Sequence, residues 1–89
     1  MHTKLKYTFE TMKLEGSIIA VPVGELASKY HGVIKLNDTG AAILEMLKED
    51  ISETEIINAL AKRYDVPIER LSVDVHKFIS IFQEREMLT

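Results

Sequence analysis

The chain has no cysteine and no tryptophan, and only two prolines and four glycines among its 89 residues. Without cysteine it can form no disulfide, no thiolate metal site and no thiol nucleophile, which agrees with a reducing, cytoplasmic location. It also lacks an apolar run of about 18 residues, so no transmembrane helix and no membrane partner are predicted. Residues 1–10, MHTKLKYTFE, contain no apolar signal segment, and no secretory signal is expected.

Positive charge is scarce in the second half of the chain. Residues 1–36 hold five Lys against three Glu, a net charge of +2, whereas residues 37–89 hold six Lys or Arg against eleven Asp or Glu, a net charge of −5. The affinity of proteins for DNA depends largely on Lys and Arg side chains that neutralise phosphates. The charge pattern therefore argues against a nucleic-acid partner.

Catalytic and cofactor-binding motifs are missing as well. The glycines form neither GxGxxG nor GxxxxGK[ST], and no serine lies in a GxSxG motif. His2, His31 and His76 do not have the spacing of metal ligands, and solvated surface histidines explain them better. We therefore expect no metal site, no cofactor and no enzymatic activity.

The first 36 residues have the composition of β-strands. Residues 5–14 are rich in Tyr, Thr and Phe, residues 17–23 form an almost continuous apolar run, and residues 33–36 make a third, short segment. Short connections between strands favour antiparallel pairing. The pattern predicts a three-stranded antiparallel sheet with residues 33–36 at an edge, and residues 1–4 are expected to be disordered.

The rest of the chain has the periodicity of three helices. Polar side chains at 37–39 can cap a first helix over about 38–48. A capping box at 52–55 starts a second helix, and Pro67 starts a third that runs to about Arg85. The last two helices are joined by a tight turn. The predicted fold class is therefore α+β, a single winged helix-turn-helix domain over residues 1–89 with three strands followed by three helices.

The third helix has more apolar surface than one packing partner covers. Its apolar side chains spread over an arc of about 160°, whereas one partner needs about 100°. Those side chains are Ile68, Leu71, Val75, Phe78, Ile79, Ile81 and Phe82. Asp74 lies on the flank of the arc, where it either pairs with Arg70 or Arg85 or provides a charged contact in a binding groove. Core positions explain Val75 and Phe82 better than groove positions do.

An edge strand beside an apolar helix is typical of peptide binding. The edge presents unpaired backbone groups to which a peptide can add as one more strand, and pockets between strand and helix give selectivity. Residues 33–36 and the flank of the third helix are the predicted walls. Two alternatives stay open: a winged-helix DNA-binding or regulatory module, and a structural homodimer that uses the same edge.

An ordered set of residues within 15–88 also carries a family resemblance. The set is Leu36-Asn37-x-Thr39-Gly40-Ala41, Ile43, Leu47, Ser52-x-x-Glu55-Ile56, Leu60, Tyr64-Asp65-Val66, Val73-Asp74-Val75, Phe78 and Ile79. It resembles the PqqD-like family, whose members are small winged-helix domains of three strands and three helices. Two features depart from the family: Leu44 stands where an aromatic residue is frequent, and no glycine precedes Met87.

The resemblance implies a RiPP recognition element, a peptide chaperone of the type known from pyrroloquinoline quinone biosynthesis. Such a domain binds the leader segment of a ribosomally made precursor peptide and presents it to a modifying enzyme, often a radical SAM protein. The leader adds to the third strand beside the third helix. Carried over by position, the peptide-binding residues are Val33, Ile34, Lys35, Leu36, Asp74, Val75 and Phe78. The helical wheel adds Ile81.

The resemblance leaves the pathway open, and with it the precursor peptide, the enzyme and the product. It does suggest a simple test of the groove. Phe78→Ala is expected to weaken peptide binding, and Lys77→Ala is expected to leave binding unchanged.

Overall fold

The computed structural model describes residues 2–28 and 32–89, with the side chain of Leu26 left out. The strands are β1 (His2–Thr3), β2 (Thr8–Leu14), β3 (Ser17–Val23), β4 (Ile34–Leu36) and β5 (Ile51–Ser52). The helices are α1 (Asp38–Met46), α2 (Glu53–Arg63) and α3 (Ile68–Glu84), and a short 3₁₀ helix, Gly24–Ser28, follows β3. The order β2-β3-β4 confirms the predicted three-stranded antiparallel sheet. Sheet and helices together are compatible with a winged helix-turn-helix.

A two-residue turn sets the hydrogen-bond pattern of the sheet. Glu15 and Gly16 join β2 to β3 with φ angles of 49° and 81°, the signs that a type I′ turn requires. The residues that flank such a turn, Leu14 and Ser17, exchange backbone hydrogen bonds with each other. Because backbone groups alternate sides along a strand, the N–H and C=O groups of Ile18 and Ala20 point the other way, toward β4.

This hydrogen-bond pattern determines which backbone groups of β4 point toward β3 and which point away from the sheet. Ile18 pairs with Leu36 and Ala20 pairs with Ile34, so Leu36 and Ile34 direct their backbone groups toward β3. Lys35, which lies between them, directs its N–H and C=O groups outward. Among the described residues β4 has a paired neighbour on one side only. The prediction of an edge strand is therefore confirmed.

Pro22 explains why β4 is short. It lies on the same side of β3 as Ala20, next to the last residue of the strand, and it has no N–H to donate to a longer β4. The ladder consequently ends at the pair of Ala20 and Ile34. Val33 therefore precedes the strand instead of starting it, one residue later than the sequence pattern predicted.

The core lies between the inner face of the sheet and the three helices. α1 contributes Ile43 and Leu44, with Leu47 just beyond its end, and all three are nearly inaccessible to solvent. α2 contributes Ile56 and Leu60. α3 contributes Leu71, Val75, Ile79 and Phe82. Met87 and Leu88, beyond the end of α3, are also buried in the core. In the described ranges no helix is both long and apolar enough to cross a membrane.

The N-terminus differs from the expectation of disorder at residues 1–4. Met1 lies outside the described residues, but His2–Thr3 forms β1 and pairs with β5. The Thr3 hydroxyl donates to the Thr89 carbonyl at 3.0 Å, and the Thr89 N–H donates to the Lys4 carbonyl at 2.8 Å. These partners are distant in sequence, so no local pattern indicates them. The N-terminal segment is instead held against the C-terminus.

Candidate functional site

A groove of about 360 Å³ lies between the first half of α1 and the exposed flank of α3. It opens beside Asn37, the residue that directly follows β4. Three of the four predicted α3 residues line it together. The complete lining is Asn37, Thr39, Gly40, Ile43, Arg70, Asp74, Lys77, Phe78 and Ile81.

The α1 wall is built around a helix cap. The Asn37 side chain accepts a hydrogen bond from the Gly40 N–H at 2.7 Å, which satisfies one of the free donors at the helix start. A Cβ atom on Gly40 would lie 3.2 Å from the Asn37 Oδ1 and 3.3 Å from the Leu36 Cδ2. The absence of a side chain on Gly40 therefore lets β4 and α1 pack closely.

Aromatic and aliphatic side chains form an apolar surface along α3. Phe78 is half-buried and stacks on Phe82, with ring centroids 4.5 Å apart and planes 14° apart. Phe82 in turn lies 6.2 Å from the ring of Phe9 in β2. Ile81 is 43% exposed although it is a large apolar residue, and the buried Ile43 lies on the α1 side. The groove thus offers apolar surface that the fold itself does not cover.

Charged side chains follow the same flank of α3. Arg70, Asp74 and Lys77 are spaced i, i+4 and i+7, so they lie along one stripe of the helix. All three are exposed, and within the described ranges none of them forms an ion pair. The alternative in which Asp74 pairs with Arg70 is therefore wrong. Asp74 lies on the groove as an exposed carboxylate.

The strand wall of the site has two chemically different faces. Ile34 and Leu36 are half-buried and pack against the core, on the inner face of the sheet. The Lys35 side chain is exposed on the outer face, opposite Ile19 in β3. A strand added beside Lys35 would alternate in the same way. Every second side chain of that strand would consequently lie on the face that also carries the groove.

One of the predicted site residues does not fit the geometry of a direct contact. Val75 has no exposed surface, so it supports the groove from the core and cannot touch a bound peptide in this conformation. Val33 is 55% exposed and directly precedes β4, so its contact with a peptide stays a prediction. Lys77 was chosen as a residue outside the groove, and this is wrong because its side chain lines it. Direct peptide contacts by the remaining residues stay predictions.

Sequence reasoning missed the α1 wall and two of the charged residues. Asn37, Thr39 and Gly40 were read as capping and packing residues, which they are, but they also border the groove. Arg70 and Lys77 could have been found, because they continue the stripe of Asp74 by one helical turn in each direction. No comparable local signal brings α1 opposite α3, since that contact depends on the tertiary fold.

A larger hollow of about 740 Å³ lies on the other side of α3, against α2. Ile57, Val73 and His76 are among its lining residues, and Lys77 borders both this hollow and the groove. Its lining includes no residue of the three-stranded sheet and none next to β4, whereas Asn37, which directly follows β4, lines the groove. The proximity of the groove to the open edge of β4, and not its size, therefore identifies the candidate site.

The histidines that the structure describes form surface pairs with glutamates. His76 Nδ1 lies 3.1 Å from Glu53, and His2 Nε2 lies 3.0 Å from Glu55. The pKa of Glu55 lies below its ordinary value, mainly because the Ser52 N–H donates to its carboxylate in the capping box. His31 lies outside the described residues. Within the described ranges no three His, Asp or Glu side chains are grouped so that they could hold a metal ion.

Two solved structures resemble the whole chain. A structure of TbiB1 in complex with the TbiA(beta) leader peptide has a TM-score of 0.68 and 18% sequence identity, over 96% of this chain and 93% of TbiB1. A lasso peptide synthetase B1 complexed with the leader peptide has a TM-score of 0.69 and 18% identity, over 100% of this chain and 99% of that protein. At this identity the likeness concerns the fold. No curated protein matches the sequence.

The sequence also matches a family model over most of its length. The model describes coenzyme PQQ synthesis protein D, and the match covers residues 16–88. It includes all of β3, β4 and the three helices, and therefore both walls of the groove. The resemblance seen in the ordered motif set is confirmed, and the chain belongs to the PqqD family.

Proposed function

We propose that this protein is a peptide-binding adaptor that captures the leader segment of a ribosomally made precursor peptide. The leader adds as a strand to the open edge of β4, and its inward side chains enter the groove between α1 and α3. One observation carries the proposal: Lys35, whose N–H and C=O groups point outward, lies two residues before Asn37, which lines the groove. The two similar solved structures, each in complex with a leader peptide, support it.

Backbone contacts and side-chain contacts are expected to contribute differently to peptide binding. Backbone pairs on the edge give affinity that depends little on the peptide sequence, about 0.5–1.5 kcal/mol for each hydrogen bond. Side chains that fill the space beside Phe78 and Ile81 give selectivity, because burying apolar surface yields about 25 cal/mol per Å². Neither contribution requires a catalytic group on this chain.

We infer that the adaptor acts in the cytosol, has no catalytic activity of its own, and raises the local concentration of the precursor at a modifying enzyme. The family resemblance points to a radical SAM protein as that enzyme. A homodimer through β4 is the competing use of the same edge, since a second copy can also add a strand there.

The test is an amide NMR titration of the full chain with synthetic leader peptides encoded near its gene. Strand addition predicts shifts at residues 33–43 and at the groove residues of α3, and smaller changes around Glu53, Ile57 and Val73 on the opposite side of α3. The groove residues of α3 are Arg70, Asp74, Lys77, Phe78 and Ile81. A binding peptide that shifts only the residues on the opposite side of α3 contradicts the proposal. The absence of shifts with all such peptides, together with a molecular size that grows with protein concentration, would favour the dimer.

Salt dependence separates the adaptor from a DNA-binding module. A complex held by phosphate contacts weakens steeply with salt, by about one power of ten or more over a fourfold change when several phosphates are bound. A strand-added peptide complex is held mostly by backbone and apolar contacts, so its affinity should change much less over the same range.

A further inference from the structure

The lining of the groove carries a net positive charge, although residues 37–89, which supply it, are acidic overall. Residues 37–89 hold six Lys or Arg against eleven Asp or Glu, yet the groove lining holds two cations, Arg70 and Lys77, against one anion, Asp74. Its net charge is therefore +1, whereas that of residues 37–89 is −5. The groove therefore has the opposite sign of charge from the half of the chain that supplies its lining.

The charges on this surface are free to act on a ligand. Arg70, Asp74 and Lys77 are exposed, and in the parts of the chain that the structure describes none of them is committed to an ion pair. By contrast, Glu45 pairs with Lys48 at 2.9 Å, which is a pair outside the groove. An incoming carboxylate meets two cations and one anion, so its interaction with the stripe is favourable. An incoming ammonium group meets net repulsion.

The cations and the apolar side chains of the groove are offset along α3. Arg70 lies in its first half, and Lys77 directly precedes Phe78. At 1.5 Å of rise per residue, the midpoint of the two cations is about 9 Å from the midpoint of Phe78 and Ile81 along the helix axis. A strand advances about 3.3 Å per residue and returns to the same face every second residue, so offsets of two or four residues, about 7 or 13 Å, bracket this distance.

We propose, on the basis of the proposed function, that the bound leader carries an acidic side chain two or four positions from an apolar one. Arg70 and Lys77 hold the acidic side chain, and Phe78 and Ile81 hold the apolar one. Both leader side chains lie on the inner face of the added strand. The ligand class is thus an extended acidic-and-apolar peptide segment, and the charge stripe of α3 determines specificity within the groove.

The experiment is a selection of random dodecapeptides displayed on phage against the immobilised full chain. Three further baits are used: Lys35→Pro, which blocks the strand edge; the double variant Arg70→Glu/Lys77→Glu; and the matched control Lys62→Glu/Arg63→Glu. The control makes the same change in net charge at two exposed residues at the end of α2, away from the groove. All four charged side chains are exposed, but Glu at the last turn of α2 opposes the helix dipole, so the control should unfold at a somewhat lower temperature than the wild type. A control that keeps the acidic preference despite this loss therefore shows that lower stability does not remove the preference.

The expected result is an enrichment of Asp or Glu at the stated offset from an apolar residue. This enrichment should disappear with Arg70→Glu/Lys77→Glu and persist with Lys62→Glu/Arg63→Glu. When the best peptide is synthesised with its acid changed to the amide, its affinity for the wild type should fall about tenfold, which corresponds to about 1.4 kcal/mol. For the Arg70→Glu/Lys77→Glu variant, whose stripe holds three anions, the same change should raise the affinity instead of lowering it.

Two results overturn the inference in distinguishable ways. If the selected peptides lose binding to Lys35→Pro but show no acidic preference, or keep that preference with Arg70→Glu/Lys77→Glu, the charge assignment is wrong and strand addition stands. If no selected peptide is sensitive to Lys35→Pro, strand addition itself is wrong, and the inference falls with the proposed function.

Discussion

The two edge strands of the three-stranded sheet, β2 and β4, have similar unpaired backbone groups but differ in the residues that border them. By the alternation that the hairpin turn sets, Lys13 on β2 and Lys35 on β4 both direct their backbone N–H and C=O groups outward. Each edge also lies near a hollow of similar size, about 350 Å³ beside β2 and about 360 Å³ beside β4. Open backbone groups and volume therefore do not distinguish the two edges.

The residues that line the hollows beside the two edges are different. Residues 4–8 of the chain itself border the hollow at β2, and the N–H groups of Leu5 and Lys6 are already bonded to the Leu47 and Met87 carbonyls at 2.9 Å. At β4 the wall is the flank of α3, where Phe78 and Ile81 keep apolar surface that the core does not use. We therefore expect a sheet edge to bind a peptide only when an uncovered helix face lies beside it.

The largest expected effect comes from proline at the two outward lysines. Lys35→Pro removes the outward N–H without touching the bonds to β3, and it leaves a peptide carbonyl unpaired, which costs about 1–3 kcal/mol. Leader affinity measured by fluorescence anisotropy should fall roughly 10- to 100-fold. Lys13→Pro makes the same change on the other edge and should leave affinity within about twofold.

Lys35→Ala is the control for Lys35→Pro, because it removes the side chain and keeps the backbone N–H. It should bind almost like the wild type. Equal losses for Lys35→Pro and Lys13→Pro would remove the distinction between the edges.

Phe78→Ala should produce the next largest effect, on both binding and stability. The half-buried ring stacks on Phe82, so truncation should lower the free energy of unfolding by about 2 kcal/mol, less than for a fully buried Phe. Leader affinity should fall about tenfold because the ring also lines the groove. Urea unfolding and anisotropy on the same samples separate the two losses. Lys62→Ala replaces Lys77→Ala as the control, and an unchanged affinity for folded Phe78→Ala would remove Phe78 from the groove.

A milder pair of substitutions compares the two sides of α3. Ile81 and Val73 are both exposed apolar residues of α3, at 43% and 62%, but Ile81 lines the groove and Val73 lines the hollow against α2. Ile81→Ala should weaken leader binding about three- to fivefold, the loss expected for partly buried methyl groups. Val73→Ala should change affinity less than Ile81→Ala does. Isothermal titration calorimetry can measure both, and the reverse order would place the peptide against α2.

The smallest effect is a control on a region remote from both edges. The folded-state pKa of Glu55 is lowered, so its capping box stabilises the fold above the unfolded-state pKa and loses this contribution as the pH falls through the folded-state value. Glu55→Gln should therefore be less stable than the wild type in urea at neutral pH. The difference should shrink at acidic pH, and leader affinity at neutral pH should be unchanged. A lower affinity would mean that the α2 cap is coupled to the groove.

Local chemistry accounts for most of the fold that could be predicted from the sequence. The Ser52 capping box, the Asn37 cap and the turn at Gly16 all act within four residues, so their outcome is independent of the rest of the chain. Pairing of β1 with β5 joins residues about fifty positions apart through two residues each, and no periodicity indicates so short a ladder.

The candidate site also contains residues that local sequence patterns predict and residues that only the tertiary fold brings together. Asp74, Phe78 and Ile81 were found because helical spacing places them on one flank, whereas the α1 wall needed the tertiary fold. Val75 shows what the helical wheel cannot predict: it falls within the apolar arc, as groove residues do, but packing in the core buries it completely. An arc predicts which side of a helix is apolar, and only packing decides which part of that side is covered.

The most direct test of strand addition is amide hydrogen exchange at the two outward lysines, measured by NMR with and without a synthetic leader peptide that shifts the amide spectrum. In the free protein the N–H groups of Lys35 and Lys13 both point to solvent, so both should exchange fast. Saturation with the peptide should protect the Lys35 N–H strongly and leave Lys13 unchanged. Fast exchange at Lys35 in the saturated complex, or protection at Lys13 instead, would contradict the account.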